Sequence, residues 1–77
     1  MNAEAFRDAR DNTPFIPFTM HLADGRKYRV SHPELILIPR GNPRIIAMSG
    51  SDGRIHVIDV LLVIELELEE GRRRRAG

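Results

Sequence analysis

The chain has 77 residues, 30% of them charged, a formal net charge of +1 and no cysteine. That length supports one domain, close to the size at which a core is barely sufficient. Without cysteine there is no disulfide framework, no thiol catalysis and no cysteine-based zinc site. Residues 1–20 carry Asp8, Arg10, Asp11, Pro14 and Pro17, so they hold no apolar signal-peptide core. No run approaches the roughly 18 apolar residues of a membrane helix. A cytoplasmic protein with no membrane partner is the expectation. The small net charge hides an asymmetry. Residues 1–71 hold eight basic residues against eleven acidic ones, while Arg72, Arg73, Arg74 and Arg75 supply the remaining four cations. The expected domain therefore spans residues 1–71, and residues 72–77 read as a basic, disordered tail.

Residues 2–11 predict a short helix. Asn2 suits the N-cap, Glu4 the positive end of the helix dipole, and Arg7 and Arg10 the negative end. Its apolar face, Ala5, Phe6 and Ala9, is thin, so it must dock on the rest of the protein to be stable. Pro14 ends it, and Pro17 restricts the start of the first strand to an edge or a bulge.

Phe18, Met20 and Leu22 alternate with Thr19 and His21, and Tyr28 and Val30 alternate with Lys27 and Arg29. This period of two marks half-buried strands, and Asp24 and Gly25 mark the turn between them. A two-residue loop would set Leu22 opposite Lys27 and put the cations on the apolar side. The three-residue loop Ala23, Asp24, Gly25, with Gly25 left-handed, pairs Met20 with Tyr28 and Phe18 with Val30. That register is the expected one.

Pro33 removes a backbone donor and forces the chain to bend after Val30; Ser31 and Glu34 fit a one-turn capping box there. Residues 35–38 are apolar on both faces, as in a central buried strand. The cluster 39–43 is a turn, residues 44–48 a strand, and residues 49–53 a second turn on Asp52 and Gly53. In the last run the apolar phase changes: Ile55 and Val57 are odd, whereas Ile58, Val60, Leu62, Ile64, Leu66 and Leu68 are even. A bulge or a 3₁₀ turn near residues 59–62 would split this run into two strands; one long bent strand is the alternative. Glu65, Glu67 and Glu69 would then stand on the solvent face and discourage aggregation at the edge.

The expected fold is mainly β: a short N-terminal helix followed by a five- or six-stranded antiparallel small barrel. Segments 14–18, 21–26, 30–34 and 58–63 together resemble a family of small bacterial proteins of unknown function. That family shows a Pro-Phe-x-Pro-Phe segment, a Leu-Ala-Asp-Gly-Arg turn and a His-Pro-Glu. The order of helix, hairpin, bent strand and late 3₁₀ turn also resembles Sm-like and SH3-like barrels. The Sm likeness implies rings built by edge-strand pairing and RNA bound in the pore. Asp59, Val60, Leu61 and Leu62 stand where the second Sm motif carries its glycine, so no RNA-pocket residue is implied here.

His21, His32 and His56 lack metal-ligand spacing; the strand solvent face accounts for His21 and His56, and the bend before Pro33 for His32. Ser31, Ser49 and Ser51 sit in no nucleophile elbow, there is no P-loop, and a barrel this small has little room for a pocket. The expectation is a non-enzymatic interaction module with no cofactor, no metal and no small-molecule substrate. Self-association, or binding to another protein, is assigned to Ile58, Val60, Leu61, Leu62, Val63 and Ile64, where apolar residues exceed what one small core can cover. RNA or single-stranded nucleic acid is the alternative partner, contacted by Arg26, Lys27, Arg29 and Arg72 to Arg75. Tyr28, inward in this register, belongs to the core.

Overall fold

The structure, a computed structural model, describes residues 1–69. The chain runs α1 (Ala3–Arg10), β1 (Phe18–Leu22), β2 (Lys27–Val30), a 3₁₀ turn (Pro33–Leu35), β3 (Ile36–Leu37), β4 (Ile45–Ser49), β5 (Ile55–Asp59), a second 3₁₀ turn (Val60–Leu62) and β6 (Val63–Leu68). The expectations placed on the tail, including Arg72 to Arg75, lie outside the described residues.

Asn2 starts α1 as expected: its side-chain oxygen accepts the Ala5 N–H at 3.3 Å. The buried face is Ala3, Phe6 and Ala9, so Ala3 takes the place that sequence assigned to Ala5, which is half-buried. Spacing of three residues keeps these side chains on one stripe. The Arg7 guanidinium donates to the Pro39 and Gly41 carbonyls at 2.6 and 2.7 Å, which fastens the helix to the turn that precedes β4.

The hairpin has the expected register, with Phe18 opposite Val30 and Met20 opposite Tyr28. The Leu22 N–H donates to the Arg26 carbonyl at 2.8 Å and the Gly25 N–H to the Leu22 carbonyl at 3.0 Å. Gly25 sits at φ +93°, which a residue with a Cβ adopts only under strain. Pro17 lies just before β1 rather than in it, so β1 is free to be the central strand of its sheet, between β2 and β6. Its carbonyl accepts the Glu69 N–H at 3.0 Å.

The strands form two three-stranded antiparallel sheets, ordered β2-β1-β6 and β3-β4-β5. Among the described residues no strand pair joins the two, so the sheets do not close into a barrel. The break follows from Pro33. Its 3₁₀ turn, preceded by His32 with no side-chain cap, separates β2 from β3. The capping box on Ser31 does not form; the Ser31 hydroxyl instead lies 3.1 Å from His32 Nδ1. The run 35–38 is likewise not a central strand. Only Ile36 and Leu37 pair, at the end of their sheet, and Leu37 faces out while Ile36 and Ile38 face in.

The core is built from the inner faces of both sheets and from α1. Phe18, Met20, Leu22, Val30 and Val63 meet Ile36, Ile46, Met48 and Ile58, and Phe6 fills the space at the helix. The phase change in the last run is made by the second 3₁₀ turn. The Asp59 carboxylate accepts the Leu61 N–H at 2.9 Å and caps it. On leaving this turn the chain faces Val60 and Val63 inward and Leu61, Leu62 and Ile64 outward. Two strands joined by a 3₁₀ turn, not one bent strand, result.

Candidate functional site

Seven large apolar residues between positions 37 and 64 stand 44–69% exposed: Leu37, Ile45, Ile55, Val57, Leu61, Leu62 and Ile64. Register explains four of them. Leu37 lies opposite Ala47, Ala47 opposite Val57, Ile55 opposite Ser49 and Ile45 opposite Asp59. The alternating neighbours Ile36, Ile46, Met48 and Ile58 fill the core side, so the outer face of β3-β4-β5 is apolar as well. Leu61 and Leu62 in the 3₁₀ turn that follows β5, and Ile64 on β6, are exposed as well. At about 30 Å² per methyl or methylene group, the seven side chains leave on the order of 500 Å² of apolar area open to water. An apolar area of this order equals the largest patches of typical domains, which are often functional.

Of the six residues that sequence assigned to self-association, Leu61, Leu62 and Ile64 are exposed. Ile58, Val60 and Val63 are at most 4% exposed and serve the core, so they offer nothing to a partner. Leu37, Ile45, Ile55 and Val57 were missed. The odd phase of Ile55 and Val57 was the available signal, since it cannot share a face with Ile58.

A second feature opens where the two sheets part. A cleft of about 450 Å³ is lined by Lys27, Tyr28, Arg29, Ser31, Leu35, Met48, Ser49, Gly50, Ser51, Asp52 and His56. The sequence expectation of little room for a pocket does not hold, because the bend at Pro33 leaves the sheets unclosed at this end. The Tyr28 and His56 rings meet with centroids 4.6 Å apart. His56 thus belongs to the inner side with Met48, its strand partner, and not to the solvent face. Its Nε2 lies 3.5 Å from the Asp52 carboxylate. Gly50 lets this turn close: a Cβ there would come within 2.9 Å of Asp52 and 3.0 Å of His56. Among the described residues no hydrogen bond joins a serine hydroxyl to His56, and no three histidine or carboxylate groups converge as metal ligands.

The basic hairpin edge is largely answered within the protein. Arg26 contacts Asp24 at 2.8 Å and donates to the Tyr28 hydroxyl at 3.2 Å. Arg29 grips Glu69 with two bonds of 2.6 and 3.0 Å. Among the described residues Lys27 makes no ion pair. His21 lies on the outer face of its sheet, 2.9 Å from Glu67, and His32 is exposed before Pro33.

Three aspartates hold three of the turns in one way, each accepting the backbone N–H two residues on. Asp24 takes Arg26 at 3.1 Å, Asp52 takes Arg54 at 3.0 Å and Asp59 takes Leu61 at 2.9 Å. These backbone bonds are the main reason that all three carboxyls titrate below the ordinary value of 3.8. Arg26, His56 and Arg44 respectively add side-chain hydrogen bonds in the same direction.

Neither a family model, a curated protein nor a solved structure matches this chain. Among the described residues no helix is long and apolar enough to cross a membrane.

Proposed function

We propose that the protein is a non-enzymatic, cytoplasmic interaction module that associates with copies of itself through the outer face of β3-β4-β5 and the adjoining 3₁₀ turn. In this reading the two sheets are the halves of an Sm- or SH3-like small barrel left open at its seam.

The observation that carries the reading is the exposed apolar surface. A standard interface buries about 800 Å² per partner, of which roughly 60% is non-polar. The roughly 500 Å² of exposed apolar area matches that share. A second copy is the natural occupant because β5 and β6 each end a sheet and leave an unpaired strand edge beside the surface. Sheet edges of one chain can pair with those of another, while the apolar faces lose their contact with water. The nucleic-acid alternative draws less support, since Arg26 and Arg29 are already engaged by Asp24 and Glu69.

Sedimentation equilibrium between 5 and 200 µM tests the proposal. The expected result is a weight-average mass that rises with concentration to at least twice the 8.8 kDa of one chain. A mass of one chain throughout overturns it.

A further inference from the structure

The hydrogen-bond phase of the hairpin exposes a second docking edge, distinct from the apolar surface. Leu22 and Arg26 form a hydrogen-bonded pair. Such pairs alternate along an antiparallel ladder, so Tyr28 bonds to Met20 and Val30 to Phe18. The N–H and C=O groups of Lys27 and Arg29 therefore point away from β1. β2 ends its sheet, and among the described residues these four groups have no backbone partner. The successive residues Lys27, Tyr28 and Arg29 all line the cleft, as a strand edge running along it would.

We propose that the cleft is a slot for an extended acidic peptide, which adds to the edge of β2 as a further strand. Its size fits. A strand residue occupies about 160 Å³, from the spacing between strands, the separation of packed sheets and the rise per residue. The 450 Å³ cleft thus takes about three residues, enough to reach the backbone of both Lys27 and Arg29. The chemistry fits as well. Tyr28, Met48 and Leu35 offer an apolar floor for one side chain of the incoming strand. The neighbouring side chains of that strand point to the outer face beside Lys27 and Arg29. Glu69 already occupies Arg29. Lys27 is left to favour a carboxylate, and the acidic character of the partner follows from it. Edge addition of this kind draws affinity from main-chain bonds and selectivity from alternate side chains.

The test uses a fluorescein-labelled octapeptide of alternating valine and glutamate, read by anisotropy against the full chain at physiological salt. Backbone amide exchange of Lys27 and Arg29 is followed in parallel. The expected result is saturable binding with slowed exchange at both amides. Lys27→Glu, at an exposed position that does not threaten the fold, weakens binding about tenfold by turning a modest attraction into a repulsion of similar size. Of two peptides N-methylated at alternate residues, the one whose methyl groups fall on the edge that faces β2 cannot complete the ladder and loses binding, while the other keeps it. Saturable binding that leaves both amides exchanging at their free rate overturns the proposal, as does equal affinity for the two N-methylated peptides, displacement by polyuridylate, or no binding at 1 mM peptide. The measurement is repeated on Val57→Lys, whose change lies on the other surface. Unaltered peptide affinity there keeps this proposal separate from self-association.

Discussion

Val57→Lys should dissociate the proposed assembly while leaving the fold intact. Val57 lies on the outer face of β5, 69% exposed, opposite Ala47 and one residue from the core side chain Ile58. Its three side-chain carbons expose about 65 Å², worth about 1.6 kcal/mol when a partner covers them. One Val57 per contact then accounts for a factor of about 15 in the dissociation constant. A two-fold interface uses the residue twice and squares that factor to about 200. Lysine forfeits this contribution and adds the cost of desolvating a charge, so both factors are lower bounds. The isolated fold should lose little, because a change at an exposed position generally stays within about 0.5 kcal/mol.

Sedimentation velocity over a concentration series gives the dissociation constants of both proteins, and urea denaturation of dilute samples gives their stabilities. Val63→Lys is the contrasting variant. Val63 is 1% exposed in the core, so the charge there should unfold the domain rather than divide an assembly of folded chains. An unchanged dissociation constant for Val57→Lys would refute the placement of the interface. So would a loss of folded stability equal to that of Val63→Lys, since it would put Val57 inside.

Acid should destabilise the protein through its turn aspartates. Their folded-state carboxyls titrate below the ordinary 3.8, so their contribution is complete above that value and fades as pH falls through the lowered folded-state value. Urea midpoints should be flat with respect to these groups above about pH 5 and drop below pH 4; Asp59→Asn, whose amide oxygen still accepts the Leu61 N–H, should flatten that drop. Gly25→Ala should cost about 1–2 kcal/mol by the same measurement, because nothing lies within 4 Å of the added Cβ and the penalty is purely that of φ +93°. Phe6→Ala should cost about 3–5 kcal/mol, enough to unfold a domain this small, and the loss of near-ultraviolet circular dichroism would report it. A chain ending at residue 71 should not bind labelled RNA at physiological salt, by anisotropy, because two of the three hairpin cations are already paired; binding that survives the truncation would reinstate the nucleic-acid reading.

The N-terminal third was legible because each local signal has one solution. Asn2 before a helical stripe, and Asp24 and Gly25 between two alternating strands, leave a single loop length that keeps Lys27 and Arg29 out of the core. The register then follows residue by residue. From Pro33 onward the same reasoning loses its grip, because it depends on a contrast between faces. The run 35–38 is apolar at every position, so pattern could not say that Leu37 turns outward or that only two residues pair. Residues 55–64 carry the same ambiguity, compounded by the 3₁₀ turn, whose three residues shift the phase. That shift placed Ile58, Val60 and Val63 on the surface in the sequence reading and in the core in the fold.

The failure of contrast has a physical meaning. A sheet exposed to water on one side selects polar residues there, as β1 and β2 do with Thr19, His21, Lys27 and Arg29. The sheet β3-β4-β5 instead keeps Leu37, Ile45, Ile55 and Val57 on its outer side, which a lone domain near the limit of self-sufficiency has no stability reason to do. Local charge guards only one end of it, where Asp59 and Arg44 pair beside Ile45, and the glutamates Glu65 and Glu67 are on β6 in the other sheet. Two-sided apolarity is what a strand buried on both faces requires. One face is answered by the core, and in the proposed assembly a second chain answers the other. The residues that resist assignment by periodicity are therefore the same residues on which self-association rests, and one mass measurement bears on both.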